Sequence, residues 1–191
     1  MMKIENTNEN INISWTAPTT PNKSISGISL GTSANSLEFA LPRCLVNQKN
    51  SLYQFEDSPI LRLTMHELDG DGSGGYEFSL HDDHIINKLL RGTPALSIAI
   101  EKNKVFTLKV YDFSFSEDAA LERIYKETLP GNIGLGSLVS ELLPYTQLEF
   151  DEAEEWFYTD DKYGEVEVTG LGVPLEDIPD QHISAIFIVS K

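Results

Sequence analysis

Residues 96–111 read LSIAIEKNKVFTLKVY and contain the most regular pattern in the chain. Apolar and polar side chains alternate from Leu96 to Ile100, and a second strand-like run extends from Val105 to Tyr111. Alternation is typical of a strand with one buried face, because successive side chains of a strand point to opposite faces of the sheet. The four polar residues at 101–104 separate the two runs. The stretch therefore predicts an antiparallel β-hairpin.

A second hairpin is predicted immediately before the first. Residues 60–68 form a strand-like run, and residues 76–80 alternate between apolar and polar side chains. Between them lies DGDGSGG, residues 69–75, in which aspartate and glycine favour a turn. Further short strands are predicted at residues 11–15, 52–55, 148–150, 156–158, 165–169 and 183–189.

Three short helices are predicted from capping residues and from the glycines and prolines that end helices. The first follows Thr32 or Ser33 and ends before Pro42. The second follows Asp82 or Asp83, and the third extends from Ser116 to Pro130-Gly131. Antiparallel strands with a few short helices predict an α+β protein built on antiparallel sheets.

A repeated segment indicates two tandem α/β repeats. Ile28-x-Leu30-Gly31-Thr32 recurs as Ile133-x-Leu135-Gly136-Ser137, an offset of 105 residues. Extended without gaps, this offset pairs Leu37 with Leu142, Tyr53 with Tyr158 and Leu61 with Val166. The alternative is that both segments are a common connection from a strand to a helix. We divide the chain into an N-terminal α/β unit with long hairpins, residues 1–115, and a helix plus an acidic C-terminal α/β unit, residues 116–191.

The net charge restricts the classes of partner. The chain has 30 acidic residues against 14 lysines and arginines, which gives a formal net charge of −16. Binding to nucleic-acid phosphates or to anionic lipids requires a basic surface, so neither is expected. A strongly acidic protein attracts basic proteins or cations instead.

The single cysteine and the lack of a recognisable signal peptide predict a cytoplasmic protein. Cys44 is the single cysteine, so no disulfide within the chain is expected. The N-terminal residues are polar and lack the apolar region of a signal peptide, and no apolar stretch is long enough to span a bilayer. The predicted compartment is cytoplasmic.

The acidic residues are concentrated near the C-terminus. Residues 149–180 contain twelve acids and a single base, Lys162, a net charge of −11, whereas the rest of the chain contributes −5. Aromatic residues occur among these acids, and aromatics are enriched at the energetic centres of interfaces. The predicted partner-binding residues are Glu149, Asp151, Glu152, Glu154, Glu155, Trp156, Tyr158, Asp160, Asp161, Tyr163, Glu165 and Glu167.

Motifs for metal binding or catalysis are weak. Asp69-x-Asp71-x-Ser73-Gly74 matches the start of a calcium-binding loop, and Glu77 falls at its ninth position, but the twelfth is Leu80 rather than glutamate. Asp69, Asp71, Ser73 and Glu77 are therefore only an alternative metal site, and a solvated hairpin tip explains them better. His81-Asp82-Asp83-His84 is adequately explained as a capped helix start. We find no phosphate-binding loop, and we expect no cofactor and no enzymatic activity.

Two resemblances suggest a function. The Gly31 and Gly136 segments, each followed by a short helix and strands, resemble the tandem α/β repeats of the β-lactamase-inhibitor-protein type. A small acidic chain without catalytic motifs is similar to the immunity proteins of bacterial polymorphic toxin systems, of the contact-dependent growth inhibition or Rhs type. The resemblance implies a protein that binds one cognate basic toxin, a tRNase or another RNase or DNase, and blocks its active site. The net charge adds the expectation of no direct contact with nucleic acid or membrane.

Other function classes stay open from the sequence. A DNA-mimicking inhibitor of a nucleic-acid enzyme would also be acidic, although mimicry requires charges spaced along an extended surface. A calcium-binding interaction module would use the loop at Asp69 and Asp71. A hydrolase with paired carboxylates is the remaining enzymatic alternative.

Overall fold

The computed structural model describes residues 11–115 and 119–190. Its strands are β1 Ser24–Ile25, β2 Ile28–Ser29, β3 Leu45–Asn47, β4 Leu52–Tyr53, β5 Leu61–His66, β6 Gly74–Leu80, β7 Leu96–Glu101, β8 Lys104–Tyr111, β9 Leu148–Asp151, β10 Trp156–Thr159, β11 Val166–Thr169 and β12 Ala185–Val189. The α-helix α1 is Ala34–Ala40, and 3-10 turns cover Leu41–Cys44, Asp83–Ile85, Ala119–Arg123 and Val139–Leu142. The predicted α+β class with antiparallel sheets is confirmed.

Ten of the strands form one antiparallel sheet. Their order is β3-β4-β5-β6-β7-β8-β12-β11-β10-β9, while β1 and β2 pair separately. The predicted units 1–115 and 116–191 meet inside this sheet, because β8 pairs with β12 from Thr107–Val189 to Tyr111–Ala185.

Both predicted hairpins are present. β7 and β8 pair from Leu96–Val110 to Glu101–Lys104, and β5 and β6 pair from Leu61–Leu80 onward. Lys102 and Asn103 connect β7 to β8 with φ angles of 51° and 62°. Positive φ at both central residues is what a type I′ hairpin turn requires, and its twist matches that of the flanking strands. The turn chemistry and the alternation therefore agree.

The sheet buries one face and leaves the other open. On the buried side, which we call the inner face, Phe78, Leu96 and Ile98 are at most 1% exposed. The intervening residues, such as Glu77, Ser97 and Ala99, lie on the opposite or outer face and are partly exposed. This alternation is the one that the sequence of residues 96–100 predicted.

Two segments outside the sheet complete the core on its inner face. Residues 13–41 contribute Ile25, Ile28 and Leu37, and residues 113–115 and 119–142 contribute buried side chains that include Tyr125. The segments contact each other where the Trp15 and Tyr125 rings meet edge to face, 5.4 Å between centroids. One hydrophobic core therefore contains residues from both predicted units.

The two repeated segments adopt the same backbone arrangement. Gly31 and Gly136 have φ angles of 78° and 82°, and their amides donate to the carbonyls of Val105 and Ile183 at 2.8 and 2.9 Å. Two further hydrogen bonds have equivalents. Val105 N donates to Thr32 O as Ile183 N donates to Ser137 O, and Ala34 N donates to Asn103 O as Val139 N donates to Gln181 O. The 105-residue offset thus relates two loops that dock on equivalent strands.

The offset does not continue through the strands. Each loop precedes a four-stranded meander, β5–β8 or β9–β12, and the two meanders join in opposite directions at β8 and β12. A twofold axis through the Lys109–Phe187 pair therefore relates the strand order and register of one meander to those of the other. In this arrangement Tyr158 is equivalent to Glu77, and Val166 is equivalent to Leu96. The gapless offset had paired Tyr158 with Tyr53 and Val166 with Leu61, and both of these pairs were wrong.

Two of the predicted helices also need correction. The helix expected after Asp82 or Asp83 is a 3-10 turn, Asp83–Ile85, and the Asn87 side chain then accepts from the amide of Leu89 in a local turn that competes with helix. The helix expected from Ser116 has its first residues outside the described ranges, and Ala119–Arg123 is a 3-10 turn. There the Trp15 indole donates to the Arg123 carbonyl at 3.3 Å, which occupies a helix acceptor.

The strand expected at residues 11–15 reduces to an isolated bridge between Ser14 and Glu56. The helix predicted before Pro42 is confirmed as α1, with Ser33 as its N-cap. Within the described residues, no helix has the length and apolar character needed to cross a membrane.

Candidate interaction surface

A continuous row of side chains crosses the outer face of the sheet. The strand register places them side by side in the order Glu149, Tyr158, Glu167, Phe187, Lys109, Ser97, Glu77 and Thr64. Eight strands spaced by about 4.8 Å make this row about 34 Å long. The outer face therefore has dimensions comparable with those of a protein–protein interface.

The centre of the row is an aromatic cluster that contains a lysine. Lys109 Nζ lies 4.7 Å from the centroid of the Trp156 ring and 4.5 Å from that of Phe187. The Trp156 and Phe187 centroids are 4.3 Å apart, and Tyr111 contacts Phe187 edge to face at 5.8 Å. Although Phe187 points to the outer face, it is only 2% exposed, because its neighbours cover it. Burial lowers the pKa of Lys109, while Glu167 and Glu154 act in the opposite direction.

Acidic residues border this cluster on the side of β9 to β11. Glu167 lies beside Phe187 in the row, and burial raises the pKa of its carboxyl, opposed by Lys109 and reinforced by Glu154. Burial, followed by the charges of Glu167, Asp151 and Glu154, raises the pKa of Tyr158. Glu154 thus influences three groups of the outer face although it lies in the β9–β10 turn.

The β9–β10 turn is organised by Asp151. One carboxylate oxygen, Oδ1, accepts from the amides of Ala153 and Glu154 at 2.8 and 3.2 Å. The amide of Glu155 donates to the Asp151 carbonyl at 2.8 Å. Asp151 therefore holds the turn, and Glu152, Glu154 and Glu155 are exposed on it.

The β10–β11 turn carries the remaining predicted residues. Asp160 Oδ2 accepts from the amide of Gln147 at 3.1 Å, and Oδ1 accepts from that of Tyr163 at 3.0 Å. These backbone donors lower the pKa of Asp160. The Tyr163 hydroxyl donates to the Pro130 carbonyl at 2.8 Å, and burial raises the pKa of Tyr163 to about 12. Asp160 and Tyr163 tie this turn to neighbouring segments, and Asp161 and Glu165 lie in the same connection.

An open cleft joins this turn to the sheet. Its volume is about 460 Å³, and it is lined by Gln147, Glu149, Tyr158, Thr159, Asp160, Asp161 and Lys162. The predicted residues therefore fall into two groups. We call the first the acidic face: Glu149, Asp151, Trp156, Tyr158 and Glu167 on the strands, with Glu152, Glu154 and Glu155 on the adjoining turn. The second, Asp160, Asp161, Tyr163 and Glu165, lies in the connection between β10 and β11.

Sequence reasoning missed three residues at the centre of the outer face. Lys109, Tyr111 and Phe187 were assigned to strands but not to a surface. The alternation of β8 does place Lys109 and Tyr111 on the face opposite Leu108 and Val110. Their proximity to Trp156 depends on the pairing of β8 with β12, which a single sequence does not reveal.

The alternative metal site is not assembled. Asp69 Oδ1 accepts from the amides of Asp71 and Ser73 at 2.9 Å each, so its carboxylate organises the hairpin turn. Glu77 lies within β6 on the outer face. Among the described residues, no three His, Cys, Asp or Glu side chains converge as a metal site would require. At the His81–His84 run, the Arg62 guanidinium donates to His81 Nδ1 at 3.2 Å.

Comparisons with known proteins yield a structural neighbour only. No protein-family model matches the chain. None of the curated proteins matches it either. Among solved structures, the chain is similar to the uncharacterized protein yfeY from Escherichia coli, with 12% sequence identity over 88% of this chain and 97% of that chain and a TM-score of 0.49.

Proposed function

We propose that this protein binds a basic protein through the acidic face and neutralises it by covering its active site, as an immunity protein does for its cognate toxin. The observation that carries the proposal is that Glu154 and Glu167 lie beside the aromatic rings of the outer face, and that Glu149 continues the same row next to Tyr158. The step from a basic partner to a nuclease toxin rests on the resemblance to immunity proteins.

The chemistry of the acidic face fits a protein partner. Aromatic side chains supply contact area with few rotatable bonds, and Trp156 and Tyr158 are partly exposed at its centre. Acids at its border raise the association rate with a basic surface and discriminate against acidic ones. A standard interface covers about 800 Å² on each partner, which a row about 34 Å long accommodates.

The arrangement favours a protein partner over imitation of DNA. The acids lie mainly over β9–β11 and the adjoining turn, while β7 carries Ser97 and Ala99 in equivalent positions. The positive charge of Lys109 interrupts the row. A duplex mimic requires regularly spaced negative charges, which this row does not provide.

The test begins with a search for a gene beside this one that encodes a large secreted protein, and its binding assays use the C-terminal domain of that protein. We expect the wild-type protein to bind this domain, abolish its activity on RNA or DNA, and restore growth of cells that produce it. The triple variant Glu149→Lys, Glu152→Lys and Glu154→Lys is expected to bind at least 100-fold more weakly, because like charges then face each other. The loss is expected mainly in the association rate at low ionic strength.

A matched control carries the same change of net charge elsewhere. The variant Glu38→Lys, Asp82→Lys and Glu122→Lys alters three exposed acids outside the acidic face and is expected to bind within a few-fold of wild type. Equal losses in both triple variants would show that net charge, not the acidic face, attracts the partner. The DNA-mimic alternative would be supported instead if this protein bound a DNA-binding enzyme that is not a toxin and duplex DNA displaced it from that enzyme.

A further inference from the structure

Lys109 is the only basic residue in the eight-residue row across the outer face. It lies on β8, with β12 and β11 on one side and β7 and β6 on the other. Glu167 follows two positions away in one direction, and Glu77 two positions away in the other. The surface therefore has a cation at its centre and acids on both sides.

Among the residues that the structure describes, none supplies a hydrogen-bond acceptor to the ammonium of Lys109. It contacts the faces of Trp156 and Phe187, at 4.7 and 4.5 Å. No carboxylate within residues 11–115 and 119–190 lies at salt-bridge distance from it, and no oxygen there accepts from it. Burial lowers its pKa, which agrees with a partly desolvated cation that is held by aromatic rings and not by an ion pair.

A partner that covers this face removes the remaining water from Lys109. A buried ammonium without an acceptor is strongly unfavourable, so a partner with an apolar or basic group at this point is rejected. A carboxylate at the same point accepts a charge-assisted hydrogen bond from the ammonium and offsets the cost of removing its water. The central lysine thus selects for one acidic group within an otherwise basic surface.

We propose that Lys109, which borders the acidic face on β8, determines the specificity of that face, and that it pairs with a carboxylate at the centre of the partner's basic surface. This inference rests on the proposed function and names the chemistry of its partner. A nuclease offers that combination where basic residues bind phosphates and a carboxylate acts in acid–base chemistry.

The test is a double-mutant cycle with two defined peptides, acetyl-Lys-Lys-Glu-Lys-Lys-amide and its counterpart with glutamine in the centre. Dissociation constants are measured at low ionic strength for the wild-type protein and for Lys109→Met, which retains the apolar stem over the rings. We expect the ratio of the glutamine-peptide constant to the glutamate-peptide constant to be about threefold to tenfold larger in wild type than in Lys109→Met. Lys109→Arg keeps the cation and is expected to keep the wild-type ratio.

The possible results are distinguishable. An unchanged ratio in Lys109→Met, with both peptides still bound, overturns the role of Lys109 and leaves the proposed function standing. No binding of either peptide to the wild-type protein overturns this inference, whereas the proposed function stands or falls with the toxin-domain experiment. Circular dichroism and Trp156 fluorescence confirm that each variant is folded, and Lys109→Gln replaces Lys109→Met if the latter is not.

Discussion

The acidic residues among the predicted partner-binding residues have different physical roles although each carries a carboxylate. Asp151 and Asp160 accept hydrogen bonds from backbone amides and hold turns. Glu152 and Glu154 are exposed, whereas Glu167 lies partly buried beside Phe187. Composition alone does not distinguish these roles. Because Asp160 holds a turn, a charge reversal that includes it would combine a folding defect with a binding defect. Only the exposed glutamates test binding cleanly.

Glu167 makes a prediction about pH. Because burial raises its pKa, the ionised carboxylate is less stable in the folded protein than in the unfolded chain. Protonated Glu167 therefore contributes stability that is fully present below its pKa in the unfolded chain, about 4.3. This contribution is lost as the pH rises through the pKa of Glu167 in the folded protein. Glu167→Gln removes this loss, so we expect its Tm to exceed that of wild type at pH 7 and the difference to vanish near pH 4.

The expected gain for Glu167→Gln is small, about 1–2 °C, because water screens a side chain that is only partly buried. Thermal unfolding followed by circular dichroism between pH 4 and pH 8 measures it. Glu38→Gln, on the exposed side of α1, reports the general effect of removing one negative charge. A gain for Glu167→Gln that is no larger than that of Glu38→Gln at pH 7 would contradict the prediction.

At the scale of elements, the two docking loops make a prediction about glycine. Gly31 and Gly136 have φ angles of 78° and 82°, and a Cβ at either position would meet no atom closer than 4.0 Å. Alanine there is disfavoured by backbone conformation alone, at about 1–2 kcal/mol. We expect Gly31→Ala and Gly136→Ala to lower the free energy of unfolding by similar amounts, because the two loops are structural equivalents.

Urea denaturation of both variants measures this effect. The matched control is Gly70→Ala in the β5–β6 turn, where φ is not positive and a Cβ would also meet open space, so stability should change little. A large loss at one docking loop and none at the other would show that the loops are not equivalent in energy, despite their matching hydrogen bonds.

How well an element could be predicted depended on whether local pattern or tertiary contacts form it. The β7–β8 hairpin has alternation and a polar turn within sixteen residues, so the sequence contains all the information needed. The segment after Ser116 has helical spacing, but the contact of Trp15 with the Arg123 carbonyl joins residues far apart in the chain. The acidic half of the candidate surface was predictable from charge, whereas Lys109 and Phe187 required the pairing of β8 with β12.

At the scale of the whole molecule, the pairing of β8 with β12 couples the two halves. The sheet continues across this pair, and the core contains Trp15 and Tyr125 in contact, one from each side of residue 115. Shared buried area makes partial unfolding unfavourable, because exposing either half would leave the other with an uncovered face. Opening between β8 and β12 would also expose unpaired strand edges.

We therefore expect a single cooperative unfolding transition, and the two tryptophans can test it. The chain has only Trp15 and Trp156, one in each predicted unit. Trp156→Phe leaves fluorescence that reports on the first unit, and Trp15→Phe leaves fluorescence that reports on the second. In each variant, the urea midpoint by fluorescence should coincide with the midpoint by far-ultraviolet circular dichroism.

Core truncations on either side of the junction extend the same test. Ile98 in β7 and Ile186 in β12 are each at most 1% exposed, so alanine at either position should cost about 2–5 kcal/mol. In a cooperative protein, Ile98→Ala lowers the transition seen by Trp156, and Ile186→Ala lowers the transition seen by Trp15. If each truncation shifted only the tryptophan signal of its own unit, the halves would be separate folding units, because the β8–β12 pair would then contribute too little stability to couple them.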